Sequence, residues 1–184
     1  MNIFETEISG LRVCEPSVFG DSRGFFFEAF NQAVFQKNGI TCAFVQDNQS
    51  LSSHRVIRGL HYQAEPFAQA KLVRVLEGVI LDVAVDIRKN SPTYGKSFSI
   101  ELSAENKKQL FIPQGFAHGF SVLSENAIVL YKCDQFYNKE SEKGIRFDDP
   151  ELKIDWRINT ANAIVSEKDL ILPLFKECDT NFEY

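Results

Sequence analysis

What this sequence has little of narrows what it can be. Its 184 residues include one methionine, one tryptophan, three histidines and four cysteines. Cys14, Cys42, Cys133 and Cys178 are far apart and form no Cys-x-x-Cys pair, which argues against structural zinc or a redox dithiol. Basic residues are outnumbered, 20 Lys and Arg against 25 Asp and Glu, for a net charge of −5. No basic stripe of the kind that neutralises a phosphate backbone is present, so no nucleic-acid partner is expected. That balance still allows one small anionic ligand held by a few local arginines. No stretch approaches the ~20 apolar residues needed to span a bilayer, so no membrane contact is expected. Met1 to Glu7 has an early acidic residue and no apolar run of signal-peptide length, which predicts a cytoplasmic protein with reduced cysteines. With no Pro/Ser-rich linker, charge block or internal repeat, residues 1–184 read as a single domain.

What is present favours strands. Seventeen phenylalanines stand among 44% hydrophobic residues, and β-branched residues are frequent beside them. In Val79 to Ile87 the odd positions Val79, Leu81, Val83, Val85 and Ile87 alternate with Ile80, Asp82, Ala84 and Asp86, the period of a strand with two different faces. Strands are also predicted at Val56 to Gln63, Lys71 to Leu76, Ser97 to Leu102, Gln109 to Ile112, Gly119 to Leu123 and Ala127 to Cys133. Turn residues such as Lys89-Asn90-Ser91-Pro92 punctuate them. Helices are few. Asn31 caps a short one that stops at Asn38-Gly39, and another begins at Ser166. The pattern predicts an all-β fold with a few short helices, a sandwich or a jelly-roll barrel whose interior can hold a small ligand.

The segment around His61 is polar in an unusual way. Strict alternation puts Gly59, His61 and Gln63 on one face, with Arg58, Leu60 and Tyr62 on the other. The first face suits the wall of a polar pocket, with Gly59 leaving room for a ligand or another backbone. His61 is either a structural residue or a general base suited to neutral pH. Lys71 is either a solvated strand-edge lysine or a fixed cation that stabilises an enolate or binds a phosphate oxygen. Tyr131, sharing a face with Val129 and Cys133, reads as a core ring with its hydroxyl at the rim. Asp169 closes a Ser166-Glu167-Lys168-Asp169 capping box or serves catalysis. His118 is a ligand contact, a supporting residue or simply buried. Arg58 has the opposite parity to His61, so both reach one ligand only if the strand bulges or Arg58 addresses another part of it. A metal is not expected, because Gln63 stands where a His-x-His pair would place its second histidine.

Several ordered strings carry a family resemblance. Phe19-Gly20-Asp21-Ser22-Arg23-Gly24-Phe25-Phe26-Phe27-Glu28, Val45-Gln46-Asp47-Asn48, Arg58-Gly59-Leu60-His61-Tyr62-Gln63 and Pro113-Gln114-Gly115-Phe116-Ala117-His118-Gly119-Phe120 are similar to the motifs of dTDP-4-dehydrorhamnose 3,5-epimerases. So are Ala68 to Val75, Asp82 to Arg88 and Leu102 to Asn106, and the similarity runs from about Phe4 to Leu174. The resemblance implies a cupin-like jelly roll, a homodimer with exchanged N-terminal strands, and cofactor-free epimerisation of dTDP-4-dehydro-6-deoxy-D-glucose at C3 and C5. It also implies site roles: His61 as base, Asp169 as its orienting carboxylate, Tyr131 as acid and Lys71 as enolate stabiliser. Arg23, Glu28, Gln46, Asn48, Arg58, Lys71, His118, Glu142 and Lys168 match nucleotide-sugar contacts. The rival readings are an epimerase acting at C3 only, a sugar 3,4-ketoisomerase (disfavoured by Gln63), and a non-catalytic sugar-nucleotide binding cupin.

Overall fold

The computed structural model describes residues 1–184. One sheet has the order β1 (Asn2–Glu5), β2 (Arg12–Glu15), β10 (Gln109–Ile112), β7 (Lys71–Glu77), β12 (Asn126–Cys133), β5 (Gln46–Ser53). The other runs β13 (Glu142–Gly144), β6 (Ile57–Gln63), β11 (Phe116–Val122), β8 (Val79–Asp86), β9 (Ser97–Ser103). A separate hairpin joins β3 (Phe19–Asp21) to β4 (Gly24–Phe26). All pairs of strands are antiparallel, and sequence neighbours are often not spatial neighbours, as a jelly roll requires.

Three apolar layers fix the two sheets. Between them, Val73, Val75, Leu110, Ala127 and Val129 of the first sheet meet Ile80, Ala84, Leu102, Phe116, Phe120 and Val122 of the second. The outer face of the second sheet, through Leu60, Tyr62, Leu81, Val83 and Val85, is roofed by Ile145, Phe147, Leu152 and Trp156. Phe35 and Ile40 cover part of the outer face of the first, against Cys14, Leu72 and Phe111. Each such buried aliphatic side chain contributes about 1.5–3 kcal/mol relative to exposure. β8 is therefore buried on both faces: its apolar odd positions face the outer roof, and its even positions carry Asp82 into the space between the sheets.

The expected strands are present, although the one placed at Gly119 to Leu123 starts earlier, at Phe116. β5 was not expected. Its sequence, QDNQSLSS, shows no apolar alternation because its inward face is polar, so Leu51 lies 64% exposed while Ser52 is 4% exposed. The short helices fall where their caps predict. The Asn31 side chain accepts from Ala33 N and Val34 N at the start of α1 (Gln32–Lys37), and Ser166 Oγ accepts from Asp169 N at the start of α2 (Glu167–Leu170). No helix is long and apolar enough to cross a membrane.

Candidate active site

The polar inward residues gather at one end of the space between the sheets. A cavity of about 310 Å³ is lined by Gln46, Asn48, His61, Gln63, Gln69, Lys71, Tyr131, Tyr137 and Glu142, with Tyr62 at its edge. A second cavity of about 230 Å³ shares His61, Lys71 and Tyr131 with the first and adds Ser50, Arg58, His118, Gly119 and Phe120. The two are compartments of one site. His61 projects from β6 in one sheet, and Lys71 and Tyr131 project from β7 and β12 in the other. Imidazole and phenol thus enter the same space from opposite walls.

Behind His61 stands Asp169, 4% exposed, its Oδ1 2.7 Å from His61 Nε2. Its other oxygen accepts from Gly59 N at 3.3 Å. Only half of the anticipated capping box forms: Ser166 caps α2, but the Asp169 carboxyl turns to β6 rather than back to the helix start. Burial on its own would raise the Asp169 carboxyl, yet the hydrogen bond and charge of His61, with the Gly59 and Ser166 contacts, hold it below the usual carboxylate value. An ionised Asp169 accepts from Nε2–H and leaves Nδ1 as the imidazole nitrogen with a free lone pair. Burial raises the Tyr131 phenol, with a smaller push from Cys133 and opposing pulls from Arg58 and Asn48, so it stays protonated at neutral pH. Burial also lowers the Lys71 ammonium, which the charges of Cys133, Asp82 and Glu142 partly offset.

A bulge resolves the parity problem at Arg58. His118 pairs with His61 and Phe120 pairs with Arg58, so three steps along β6 match two along β11. The extra residue turns Arg58 toward the side on which His61 lies. Its Nε donates to Ser52 Oγ at 2.9 Å and its Nη2 to Leu51 O at 3.4 Å. Gly59 makes the bulge sterically feasible. Its φ is +106°, and a Cβ there would sit 2.5 Å from His118 O and 2.7 Å from Gly119 Cα. The space anticipated at Gly59 is thus taken by a neighbouring backbone.

His118, on β11, is buried with Nε2 2.8 Å from Asp82 Oδ1. At the rim of the first cavity, Glu142 Oε2 accepts from Tyr137 OH at 2.7 Å and lies 2.5 Å from Lys168 Nζ. The Lys168 contact raises that lysine, and it helps hold Glu142 low against the opposing effect of burial. No three His, Cys, Asp or Glu side chains converge in a way that would hold a metal ion.

Two of the anticipated contacts are not brought to the site. Arg23, its side chain 88% exposed, pairs with Asp21 on the β3–β4 hairpin, where a groove of about 550 Å³ is lined by Phe19, Phe25 and Phe26. Glu28 accepts from Asn31 Nδ2 and lines neither compartment. Within one chain, Arg23 and Glu28 line neither His61 compartment, so the contacts that the resemblance implied for them are not formed in this chain by itself. Tyr137 and Ser50 were missed from sequence. Tyr137 lies in an aperiodic loop, and Ser50 in a strand whose polar inward face hid its alternation.

Comparison with known proteins identifies the family and the fold. The family described as dTDP-4-dehydrorhamnose 3,5-epimerase matches residues 5–177. The chain is 53% identical over 180 residues to the dTDP-4-dehydrorhamnose 3,5-epimerase of Shigella flexneri, covering 97% of this chain and 98% of that one. It superposes with a TM-score of 0.92 on the crystal structure of dTDP-4-dehydrorhamnose 3,5-epimerase from Elizabethkingia anophelis, at 53% identity and 96% and 97% coverage. The Legionella pneumophila dTDP-6-deoxy-D-glucose-3,5-epimerase, solved in complex with dTDP-4-keto-L-rhamnose, gives a TM-score of 0.93 at 49% identity, covering 97% of this chain and 94% of that one. With a two-walled polar cavity in a cupin-like jelly roll and a match along nearly its whole length, the chain belongs to the dTDP-4-dehydrorhamnose 3,5-epimerase family.

Proposed function

We propose that this protein is an isomerase that inverts dTDP-4-dehydro-6-deoxy-D-glucose at C3 and C5, giving dTDP-4-dehydro-L-rhamnose. The observation that carries the reading is the entry of His61 and Tyr131 into one cavity from opposite sheets. Both carbons flank the C4 ketone, so loss of either proton yields an enolate on the same oxygen. His61 Nδ1 takes the proton from carbon, and the C–H electron pair moves into the carbonyl to make that enolate. Lys71 stabilises the oxyanion as it forms. Tyr131 then returns a proton to carbon from the other side, which inverts the centre, and the phenolate and imidazolium re-equilibrate with solvent. Asp169 fixes the imidazole tautomer and favours the cation formed in turnover.

Arg58, Gln46, Asn48, His118, Glu142 and Lys168 serve the nucleotide sugar around this centre, the arginine as a forked donor. Arg23 and Glu28 fit the same role only if a second chain supplies them. That requirement, with the exposed Phe19, Phe25 and Phe26, supports a homodimer in which the N-terminal hairpin reaches the partner's cavity. Four unpaired cysteines support a cytoplasmic setting.

The test is NMR of the purified protein with the 4-keto sugar nucleotide in D₂O. Deuterium at both C3 and C5 is expected. Label at C3 alone would select the C3-only epimerase, and none at all would select a binding protein. Tyr131→Phe is expected to slow epimerisation more than it slows exchange, since proton removal survives while delivery to the opposite side does not. Equal loss of both would remove Tyr131 from the acid role.

A further inference from the structure

Residues Gln135 to Asn138 follow β12 and carry Tyr137 to the rim of the cavity. None of the four makes a backbone–backbone hydrogen bond. Each instead has one backbone group bonded to the side chain of a cavity glutamine. Gln69 Nε2 donates to Gln135 O at 2.7 Å. Gln63 Nε2 donates to Phe136 O at 3.2 Å, and Gln63 Oε1 accepts from Asn138 N at 2.7 Å. Gln46 Oε1 accepts from Tyr137 N at 3.0 Å. Gln63 also donates to Phe67 O at 2.6 Å, which ties the loop after β6 to the loop after β12. At 4% exposure its amide is committed to backbone on both its donor and its acceptor side.

We propose that Gln63, assisted by Gln46 and Gln69, is a positioning residue for the substrate: a side-chain cradle that substitutes for strand pairing and presents Tyr137, and through its hydroxyl Glu142, at the cavity mouth. Gln63 thus acts through backbone and touches no reacting atom. The inference rests on the cavity being the active site. Its chemistry is specific, because an amide donates to two carbonyls and accepts from one N–H at once. Methionine keeps the length and loses all three bonds. Glutamate keeps the shape and accepts only, so it would face two carbonyl oxygens with a negative charge.

The test uses the full-length protein and Gln63→Met and Gln63→Glu. Backbone amide exchange, read by mass spectrometry over residues 134–141 without ligand, is expected to quicken in both variants, with the strands of the barrel unchanged. In steady-state kinetics KM for the nucleotide sugar is expected to rise about tenfold or more, with kcat falling about threefold or less. Glutamate is expected to be at least as damaging as methionine. Unchanged exchange in that segment, full function in Gln63→Glu, or a fall in kcat at constant KM would overturn the proposal. A wild-type protein without exchange or epimerase activity would instead sink the reading of the cavity, while the amide-exchange result would still judge the cradle.

Discussion

The molecule contains two histidine–carboxyl pairs of nearly equal length on neighbouring strands, and they are built for different ends. His61 and His118 are register partners in β6 and β11, with bonds of 2.7 Å to Asp169 and 2.8 Å to Asp82. The His61 side chain is 33% exposed and faces both compartments, while that of His118 is 7% exposed. Asp169 arrives from a short helix 108 residues away and is itself satisfied by Gly59 N and Ser166. Asp82 sits inside a central strand. Burial is the largest influence on His118 and lowers it; Asp82 opposes that, and Lys71 and His61 reinforce it. One pair is open enough to exchange a proton with a ligand, and the other is a fixed, neutral imidazole in the wall. On the proposed reading, access more than the identity of the partner separates the base, His61, from His118 in the wall beside it.

That contrast can be broken by substitution. The largest effect is expected for His61→Asn, which should abolish solvent deuterium incorporation at C3 and C5, a loss of about 10²–10⁴-fold, with nucleotide-sugar binding retained. Substantial exchange in that variant would remove His61 from the base role. Asp169→Asn should lower kcat by about 10²-fold through loss of the tautomer and of support for the cation. Asp82→Asn should instead show chiefly as lost stability, of about 1–3 kcal/mol in denaturant titration, because it disturbs a buried hydrogen bond. Equal falls in kcat for the two asparagine variants would erase the distinction.

The smallest effect is in pH dependence. A histidine with a lowered folded pKa binds its proton more readily when unfolded, so its contribution is complete above about pH 6.5 and is lost as pH falls through the folded value. Asp169, held below its ordinary value of about 3.9, acts in a separate, more acidic window. Between pH 7 and 5 the wild type should therefore lose stability, and His118→Gln should lose less. An identical slope would mean that His118 carries no such linkage.

Much of this was legible in the sequence where a local signal existed. The alternation in Val79 to Ile87 and the caps at Asn31 and Ser166 each reported a structure made by neighbours in the chain. β5 was illegible because a strand facing a polar cavity inverts the usual pattern and leaves Leu51 outside. The turn of Asp169 away from its own helix was hidden for another reason: its partner is distant in sequence, and the Ser166 string has a sufficient local explanation. Arg58 required a count of residues on two strands at once, which alternation on one strand cannot provide. Arg23 and Glu28 were matched by motif, yet the single chain keeps them away from the cavity.

The irregularity between Arg58 and His61 makes the site sensitive to spacing as well as to composition. The surplus residue also frees an N–H that Asp169 collects, so the same irregularity aims the arginine and anchors the carboxylate. Trimming one residue from this stretch would make the two strands pair more perfectly and the enzyme worse. It would swing the guanidinium outward and strip the carboxylate of one of its anchors, though every side chain named in the chemistry were still there.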